Sequence, residues 1–265
     1  MDTFRLSDGE TPLIVSMPHA GTFLPDDLIA RMTEEGQSVP DTDWHMERLY
    51  GFAEALGATL LSATHSRYVI DLNRPPDGAS LYPGADETEL CPTTTFDRTP
   101  IYRPGEEPDQ AEIEERRARY WDPYRQQLAA SIEQTKARHG HVVLWEAHSI
   151  RSRLPRFFQG RLPDLNFGTG DGRSCDRRLI EQVFALAKEE GAYSSVLNGR
   201  YKGGHITRTY GNPEANVQAI QLELSQITYM QEKPPFDYRP AAADRLIPAL
   251  RRFLEAALAW DVSNN

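Results

Sequence analysis

The sequence predicts an α/β fold with three layers and a mostly parallel central sheet, and the order of its segments supports this. Short apolar segments alternate with segments of helical period along the whole chain of 265 residues. This alternation is typical of strand–helix–strand units, which build parallel sheets covered by helices on both faces. Because no stretch has the composition of a linker, we expect residues 1–265 to form a single domain.

The first half of the chain begins with an apolar segment, Leu13–Met17, which predicts a buried strand. A helix should open within residues 40–43 and end at Gly57, a residue suited to the left-handed conformation that closes helices. Further strands are predicted at 58–62 and 68–72. Residues 75–107 are rich in Pro, Gly, Asp and Thr without periodicity, which favours a lid or active-site loop.

A long helical region at about 109–138, charged on one face, opens the second half of the chain. It is followed by a predicted strand at 142–145, a loop at about 160–173, a helix from Leu179 to near Gly191, a short strand at 194–197, a turn at 202–205 and a strand at 217–224. Apolar residues at helical spacing between Leu246 and Leu258 predict a final amphipathic helix.

Composition excludes several classes of function. The formal net charge of −10 argues against a nucleic-acid partner, since phosphate binding needs clustered Lys and Arg. Cys91 and Cys175 are the only cysteines and form no disulfide framework, which suits a reducing compartment. The first residues do not have the pattern of a signal peptide, and no segment is apolar enough to span a membrane. We therefore expect a cytoplasmic protein with no nucleic-acid partner and no membrane partner.

Polar residues follow several of the predicted strands. They are His19, the pair Asn73 and Arg74, the pair Glu146 and His148, and Glu223. In open α/β sheets ligands bind beyond the carboxyl ends of the strands. We therefore expect these side chains to meet at one sheet edge.

Two of these residues, His19 and His148, are suited to zinc, and a catalytic zinc uses three protein ligands and leaves a position for water. Asp43 is the first candidate for a third, carboxylate ligand, since it should lie in the first turn of the helix that opens near the same edge. Asp41, His45, Glu47 and Glu146 are rivals, and Glu146 is alternatively a partner that holds a histidine. A histidine at a strand end or an aspartate at a helix start also has an ordinary structural role.

Six motifs resemble those of the N-formylglutamate amidohydrolase family. They are P-H-A-G at 18–21, D-T-D-W-H at 41–45, D-L-N-R-P-P at 71–76, E-A-H-S at 146–149, K-G-G-H-I-T-R-T-Y-G at 202–211 and Q-L-E-L-S at 221–225. The resemblance extends over about residues 10–258. It implies a zinc-dependent hydrolase that cleaves N-formyl-L-glutamate to formate and L-glutamate in histidine degradation. Co²⁺ or another divalent cation is an alternative to zinc.

The segment S-R-Y-V-I-D-L-N-R at 66–74 is also similar to aspartoacylase and succinylglutamate desuccinylase, which share the zinc-carboxypeptidase architecture. This similarity implies that Asn73 and Arg74 hold a substrate carboxylate, that Arg67 polarises the scissile carbonyl, and that Glu223 is the general base. The group's His-x-x-Glu ligand pair is absent, because Thr22 stands three residues after His19.

The ligand set that we expect is His19, Asp43 and His148, with Asp43 inferred from its position because the His-x-x-Glu pair is absent. For the second carboxylate of a dianionic substrate we expect Arg208, with His205 assisting and Arg151 as an alternative. Two other functions stay open at this stage. One is a deacylase of the same fold for another N-acyl amino acid, and the other is a non-catalytic carboxylate-binding protein.

Overall fold

The computed structural model describes residues 2–81, 84 and 86–260 and places seven strands of these residues in one mixed sheet. The strands are β1 (Phe4–Ser7), β2 (Leu13–Met17), β3 (Thr59–Ala63), β4 (Val142–Ile150), β5 (Leu165–Gly168), β6 (Ser195–Leu197) and β7 (Val217–Ser225). Their order is β1-β3-β2-β4-β7-β5-β6. Neighbours from β3 to β7 run parallel, while β1 is antiparallel to β3 and β5 is antiparallel to β7.

Helices cover both faces of the sheet. They are α1 (Asp26–Ile29), α2 (Glu34–Gln37), α3 (Met46–Leu49), α4 (Gln110–Arg116), α5 (Asp122–His139), α6 (Arg177–Glu189), α7 (His205–Tyr210) and α8 (Pro240–Leu258). A π-helical segment, Arg117–Trp121, joins α4 to α5. Apolar residues of α3, α6 and α8 share one core with Val143 and Trp145, whereas those of α5 share the other with Val142 and Leu144. Alternate residues of β4 therefore serve opposite layers, which is the predicted three-layer α/β arrangement.

Several predicted elements lie where the sequence analysis expected them. The bounds of β2 agree with the prediction, and α6 and α8 occupy the predicted amphipathic segments. Gly57 adopts a φ of 71°, as expected for a residue that closes a helical segment. No helix among the described residues is long and apolar enough to cross a membrane.

Other predictions were wrong in ways that have a physical explanation. The expected strand at 68–72 is a series of turns, in which Val69 N donates to Ser66 O and Arg74 N donates to Asp71 O. Its residues are apolar because Tyr68, Val69 and Ile70 pack into the α5-side core, and burial alone does not distinguish a strand from a buried turn.

Two short strands were missed. β1 is a half-exposed edge strand of four residues. The predicted loop at 160–173 contains β5, whose Asn166 and Gly168 have low strand propensity and which forms by pairing with β7 and β6.

The segment 75–107 contains neither a helix nor a named strand in its described residues, which are 75–81, 84 and 86–107. Leu81, Glu87, Thr88 and Phe96 from this segment line a cavity of the described structure. The segment therefore contributes to a wall of that cavity, and its closing as a lid stays a prediction.

Candidate active site

A cleft of about 650 Å³ lies at the carboxyl ends of the central parallel strands. His19 follows the end of β2, and His148 lies within the last residues of β4. His148 is paired in register with Glu223 of the neighbouring strand β7, so their side chains lie on the same face of the sheet. These three residues are distant in sequence, but the parallel strands place them at one edge of the sheet, as predicted.

Three buried side chains at this edge form a group suited to a cation. His19, Asp43 and His148 each offer one ligand atom, and these atoms lie within 4.8 Å of one another. Oδ2 of Asp43 lies 2.9 Å from Nδ1 of His148 and 3.8 Å from Nδ1 of His19. Two imidazoles and one carboxylate are a donor set that Zn²⁺ and similar divalent cations accept.

The outer nitrogens of both histidines also face carboxylates. Nε2 of His19 lies 2.6 Å from Asp71, and Nε2 of His148 lies 3.5 Å from Glu146. A carboxylate on the far nitrogen is the usual arrangement around a metal-bound histidine, since it fixes the ring and makes it a better ligand. Oε2 of Glu146 is buried without a hydrogen-bond partner. An unpartnered buried carboxyl oxygen beside the histidines suits a site that binds a cation, so the residues fit a metal.

The two histidines differ in charge. Burial, reinforced by the charge of Arg67, lowers the pKa of His19 to about 4, so this ring is neutral near pH 7. Burial also disfavours a charge on His148, but hydrogen bonds with Asp43 and Glu146 outweigh it and raise its pKa to about 10. His19 therefore has no proton to lose on binding a cation near pH 7, whereas His148 must lose one first.

The geometry separates Asp43 from its rivals. Asp41 accepts hydrogen bonds from Tyr68 Oη at 2.6 Å and from Phe96 N at 2.7 Å, so it holds the surrounding loop. The ring of His45 contacts the carbonyl of Phe236, and Glu47 forms an exposed ion pair with Arg5. None of these three rivals belongs to the described metal-type cluster.

Asp43 itself is placed differently from the prediction. It precedes α3, which begins only at Met46, and is therefore outside the first turn of that helix. Its position comes from its backbone N, which donates to His19 O at 3.0 Å, and from its Oδ2, which accepts from Ser149 N.

Arg67 and Asn73 lie directly against the two histidines. Nη2 of Arg67 donates to Nδ1 of His19 at 2.7 Å and to Asp71 at 3.0 Å, so the guanidinium lies next to the metal-type cluster. The amide of Asn73 lies 2.9 Å from Nε2 of His148 and accepts from Ile206 N at 2.8 Å. The polar groups of Asn73 are thus already used to hold His148 and the start of α7.

Glu223 lies on the wall of the same cleft and is buried. Burial raises its pKa to about 8 in the metal-free protein, although the charges of His148 and Arg67 oppose this shift. A carboxylate with a raised pKa beside a polar cleft has the property required of a group that takes and returns a proton.

The predicted substrate-binding residues divide into two groups. Arg74 lines the cleft, where its Nη1 lies 3.4 Å from Glu87. Arg151, His205 and Arg208 do not belong to the described wall. Arg151 forms an ion pair with Asp97 at 2.6 Å, and His205 begins α7 with its ring near Trp121. Arg208 donates to Gly203 O and Leu81 O.

Sequence reasoning missed several residues of the site. Asp71 lies within the D-L-N-R motif but was assigned no role, although its contact with His19 places it in the site. Glu87 and Arg200 also line the cleft and belong to loops without a recognisable motif. Only the proximity of these loops to the sheet edge could have revealed them.

Comparisons with known proteins agree with this geometry. The sequence model of the N-formylglutamate amidohydrolase family matches residues 11–230. The chain is 50% identical over 252 residues to an N-formylglutamate deformylase of Pseudomonas aeruginosa, covering 95% of this chain and 94% of that one. It is 47% identical, with the same coverage, to the N-formylglutamate deformylase of Pseudomonas putida.

Among solved structures, the N-formylglutamate amidohydrolase of Ralstonia eutropha JMP134 is similar, with a TM-score of 0.81 and 27% identity. The similarity covers 97% of this chain and 99% of that one. Family match, sequence identity and fold agree over nearly the whole length. The chain therefore belongs to the N-formylglutamate amidohydrolase family.

Proposed function

We propose that this protein hydrolyses the formamide bond of N-formyl-L-glutamate to formate and L-glutamate. The observation that carries the proposal is the cleft, in which a buried His₂–Asp cluster, Glu223 and several arginines meet. The 50% identity to a deformylase of that name over nearly the full length supports the choice of substrate. We further propose that the reaction belongs to histidine degradation in the cytoplasm.

In this proposal His19, Asp43 and His148 hold a divalent cation, with zinc as the first choice. When bound, such a cation polarises the amide carbonyl and makes a water more acidic. The mostly parallel sheet with a His₂–carboxylate cluster at its carboxyl edge supports a relation to the zinc-carboxypeptidase architecture. Residues 1–265 would form one catalytic domain, and the 75–107 segment would act as its lid.

The chain's own residues would supply the general base, the stabilisation of the oxyanion and the binding of the substrate. Glu223 takes a proton from the attacking water and returns it to the leaving amine, which requires its carboxylate to be ionised at the start. Arg67 lies next to His19, so its guanidinium stabilises the negative charge that develops on the carbonyl oxygen. Asp71 and Glu146 hold the histidine rings, and Arg74 binds a carboxylate of the substrate.

The direct test is to incubate the purified, metal-loaded protein with N-formyl-L-glutamate and to measure formate and glutamate. N-acetyl-L-glutamate, N-succinyl-L-glutamate and N-formyl-L-aspartate serve as comparison substrates. We expect N-formyl-L-glutamate to have the highest kcat/KM. A higher value for another N-acyl amino acid would show that the protein is a deacylase of different specificity, and binding without turnover would show a non-catalytic role.

Metal binding should release a proton and weaken as the pH falls. Because the pKa of His148 is raised to about 10, its ring is protonated between pH 6 and 8 and must lose that proton to become a ligand. His19, with a pKa lowered to about 4, contributes no proton in this range. Apparent affinity should therefore fall about tenfold for each pH unit of acidification. Zn²⁺ titration calorimetry in two buffers of different ionisation enthalpy counts the protons, and equal heats in both would contradict this expectation.

Replacing Glu87 by Gln should lower KM for N-formyl-L-glutamate. Glu87 lies against Arg74, so a substrate carboxylate has to take its place at that guanidinium. A partly exposed ion pair is worth up to about 1 kcal/mol, which corresponds to a decrease in KM of about two- to fivefold. The control is Asp86→Asn, because this neighbouring carboxylate is paired with Arg98 and Arg156 instead. An increase in KM for Glu87→Gln would mean that Glu87 supports Arg74 in binding.

A further inference from the structure

Among the described residues that line the cleft are three arginines, Arg67, Arg74 and Arg200. A substrate with two carboxylates needs cationic partners for both, and guanidinium groups bind carboxylates through two parallel hydrogen bonds. Arg67 is engaged with His19 and Asp71 at the metal-type cluster. Arg74 and Arg200 are the other two arginines of the described wall, one for each carboxylate.

Arg74 lies toward the metal end of the cleft. Its neighbour Asn73 contacts His148, and its Nε lies 4.0 Å from Asp71, which in turn contacts His19. The α-carboxylate of an N-acyl amino acid is one carbon from the nitrogen of the scissile amide. It must therefore lie close to the cation and to Arg74, while the side-chain carboxylate extends farther away.

Arg200 also lines the cleft and lies on the loop after β6. Its Nε donates to the carbonyl of Phe157 at 2.8 Å, and Phe157 itself lines the cleft. This contact helps to fix the position of the guanidinium at the wall of the cleft.

Arg208, the residue that the motif K-G-G-H-I-T-R favoured for this role, does not belong to the described wall. Its Nε donates to Gly203 O at 2.8 Å and its Nη1 donates to Leu81 O at 3.0 Å. These bonds join α7 to the 75–107 segment and give Arg208 a place in the fold. The two arginines are only eight positions apart, and tertiary structure brings Arg200 rather than Arg208 to the cleft.

We infer that Arg200 binds the side-chain carboxylate of the substrate and selects acidic N-formyl amino acids over neutral ones. This inference rests on the proposed deformylase activity and assigns the α-carboxylate to Arg74. The discrimination comes from charge, because a neutral side-chain amide has the same shape but accepts weaker hydrogen bonds from a guanidinium than a carboxylate does.

The test compares kcat/KM for N-formyl-L-glutamate and N-formyl-L-glutamine in the wild type, Arg200→Gln, Arg200→Lys and Arg208→Gln. For Arg200→Gln we expect a loss of about 10- to 100-fold on the glutamate substrate, as for a charged hydrogen-bonded contact, and a change of less than about twofold on the glutamine substrate. Arg200→Lys should recover part of the loss, because it keeps the charge without the planar fork.

Equal losses on both substrates in the Arg200 variants, or a selective loss in Arg208→Gln, would overturn the inference. Metal content and melting temperature of each variant separate a specificity effect from a folding defect. The wild-type rate on N-formyl-L-glutamate tests the proposed function separately. If the wild type hydrolyses this substrate but Arg200→Gln keeps the wild-type selectivity, the proposed deformylase activity would be supported. The role of Arg200 in specificity would then be wrong.

Discussion

Replacing Glu223 by Gln should lower kcat by about 10²- to 10⁴-fold while the protein keeps its metal, since this is the usual contribution of a positioned general base. Glu223 lies beside His148 in the register of β4 and β7 and lines the cleft, but it is not a member of the His19–Asp43–His148 cluster. The amide of Gln has nearly the same shape as the carboxylate and cannot accept the proton.

The measurement is kcat together with metal content by elemental analysis. A matched control is Glu255→Gln, since Glu255 is exposed on α8 and remote from the sheet edge in sequence and layer. Loss of metal in Glu223→Gln would identify Glu223 as a ligand, and an unchanged kcat would exclude it as the base.

The pH dependence gives a second readout for the same residue. Burial raises the pKa of Glu223 to about 8 in the metal-free protein, and the ionised form is the one that accepts a proton. Wild-type kcat/KM should therefore fall as the pH is lowered through the pKa that Glu223 has in the loaded enzyme. In Glu223→Gln the residual kcat/KM should depend less on pH over this range, because the group that titrates has been removed.

Replacing Asp43 by Ala should empty the metal site and abolish turnover. Its Oδ2 faces Nδ1 of both histidines, so the substitution removes the only carboxylate of the described metal-type cluster. We expect metal affinity to fall by more than about 100-fold. Replacing a residue that only hydrogen-bonds to a metal ligand typically costs about 10- to 100-fold, and loss of a ligand should cost more. Titration of the metal-free variant with Zn²⁺, followed by calorimetry and by activity, measures this loss.

The matched control is Asp41→Asn, two residues away and equally buried. Asp41 accepts hydrogen bonds from Tyr68 Oη and Phe96 N, so its replacement should cost about 1–3 kcal/mol in the free energy of unfolding and leave metal affinity close to wild type. If Asp43→Ala retained normal affinity while Asp41→Asn lost it, the third ligand would have been assigned to the wrong aspartate.

Much of the site could be predicted because it is built on the central strands. The apolar runs that become β2, β4 and β7 are visible in the sequence, and parallel strands present their carboxyl ends at one edge. Placing His19, His148 and Glu223 together therefore required only the strand assignment and the alternation of side chains. The same alternation places Glu146 on the face of His148, where the structure has it.

The parts that failed depend on contacts between segments distant in sequence. The 68–72 segment is apolar like a strand, but it forms turns, because its aromatic and aliphatic side chains fill the α5-side core. Asp43 was assigned to a helix start, yet its position comes from hydrogen bonds to His19 O and Ser149 N. Neither contact has a local signature in the chain.

The sequence by itself determined the α/β class, the central strands and the strand ends that place two histidines and a glutamate at one sheet edge. These features follow from hydrophobic period and strand direction, which are local properties. Tertiary structure alone decided that Asp71 faces His19, that Asp41 supports a loop while Asp43 faces both histidines, and that Arg200 rather than Arg208 lines the cleft. Such choices depend on how loops pack over the sheet, because side chains only a few positions apart can point into different surroundings.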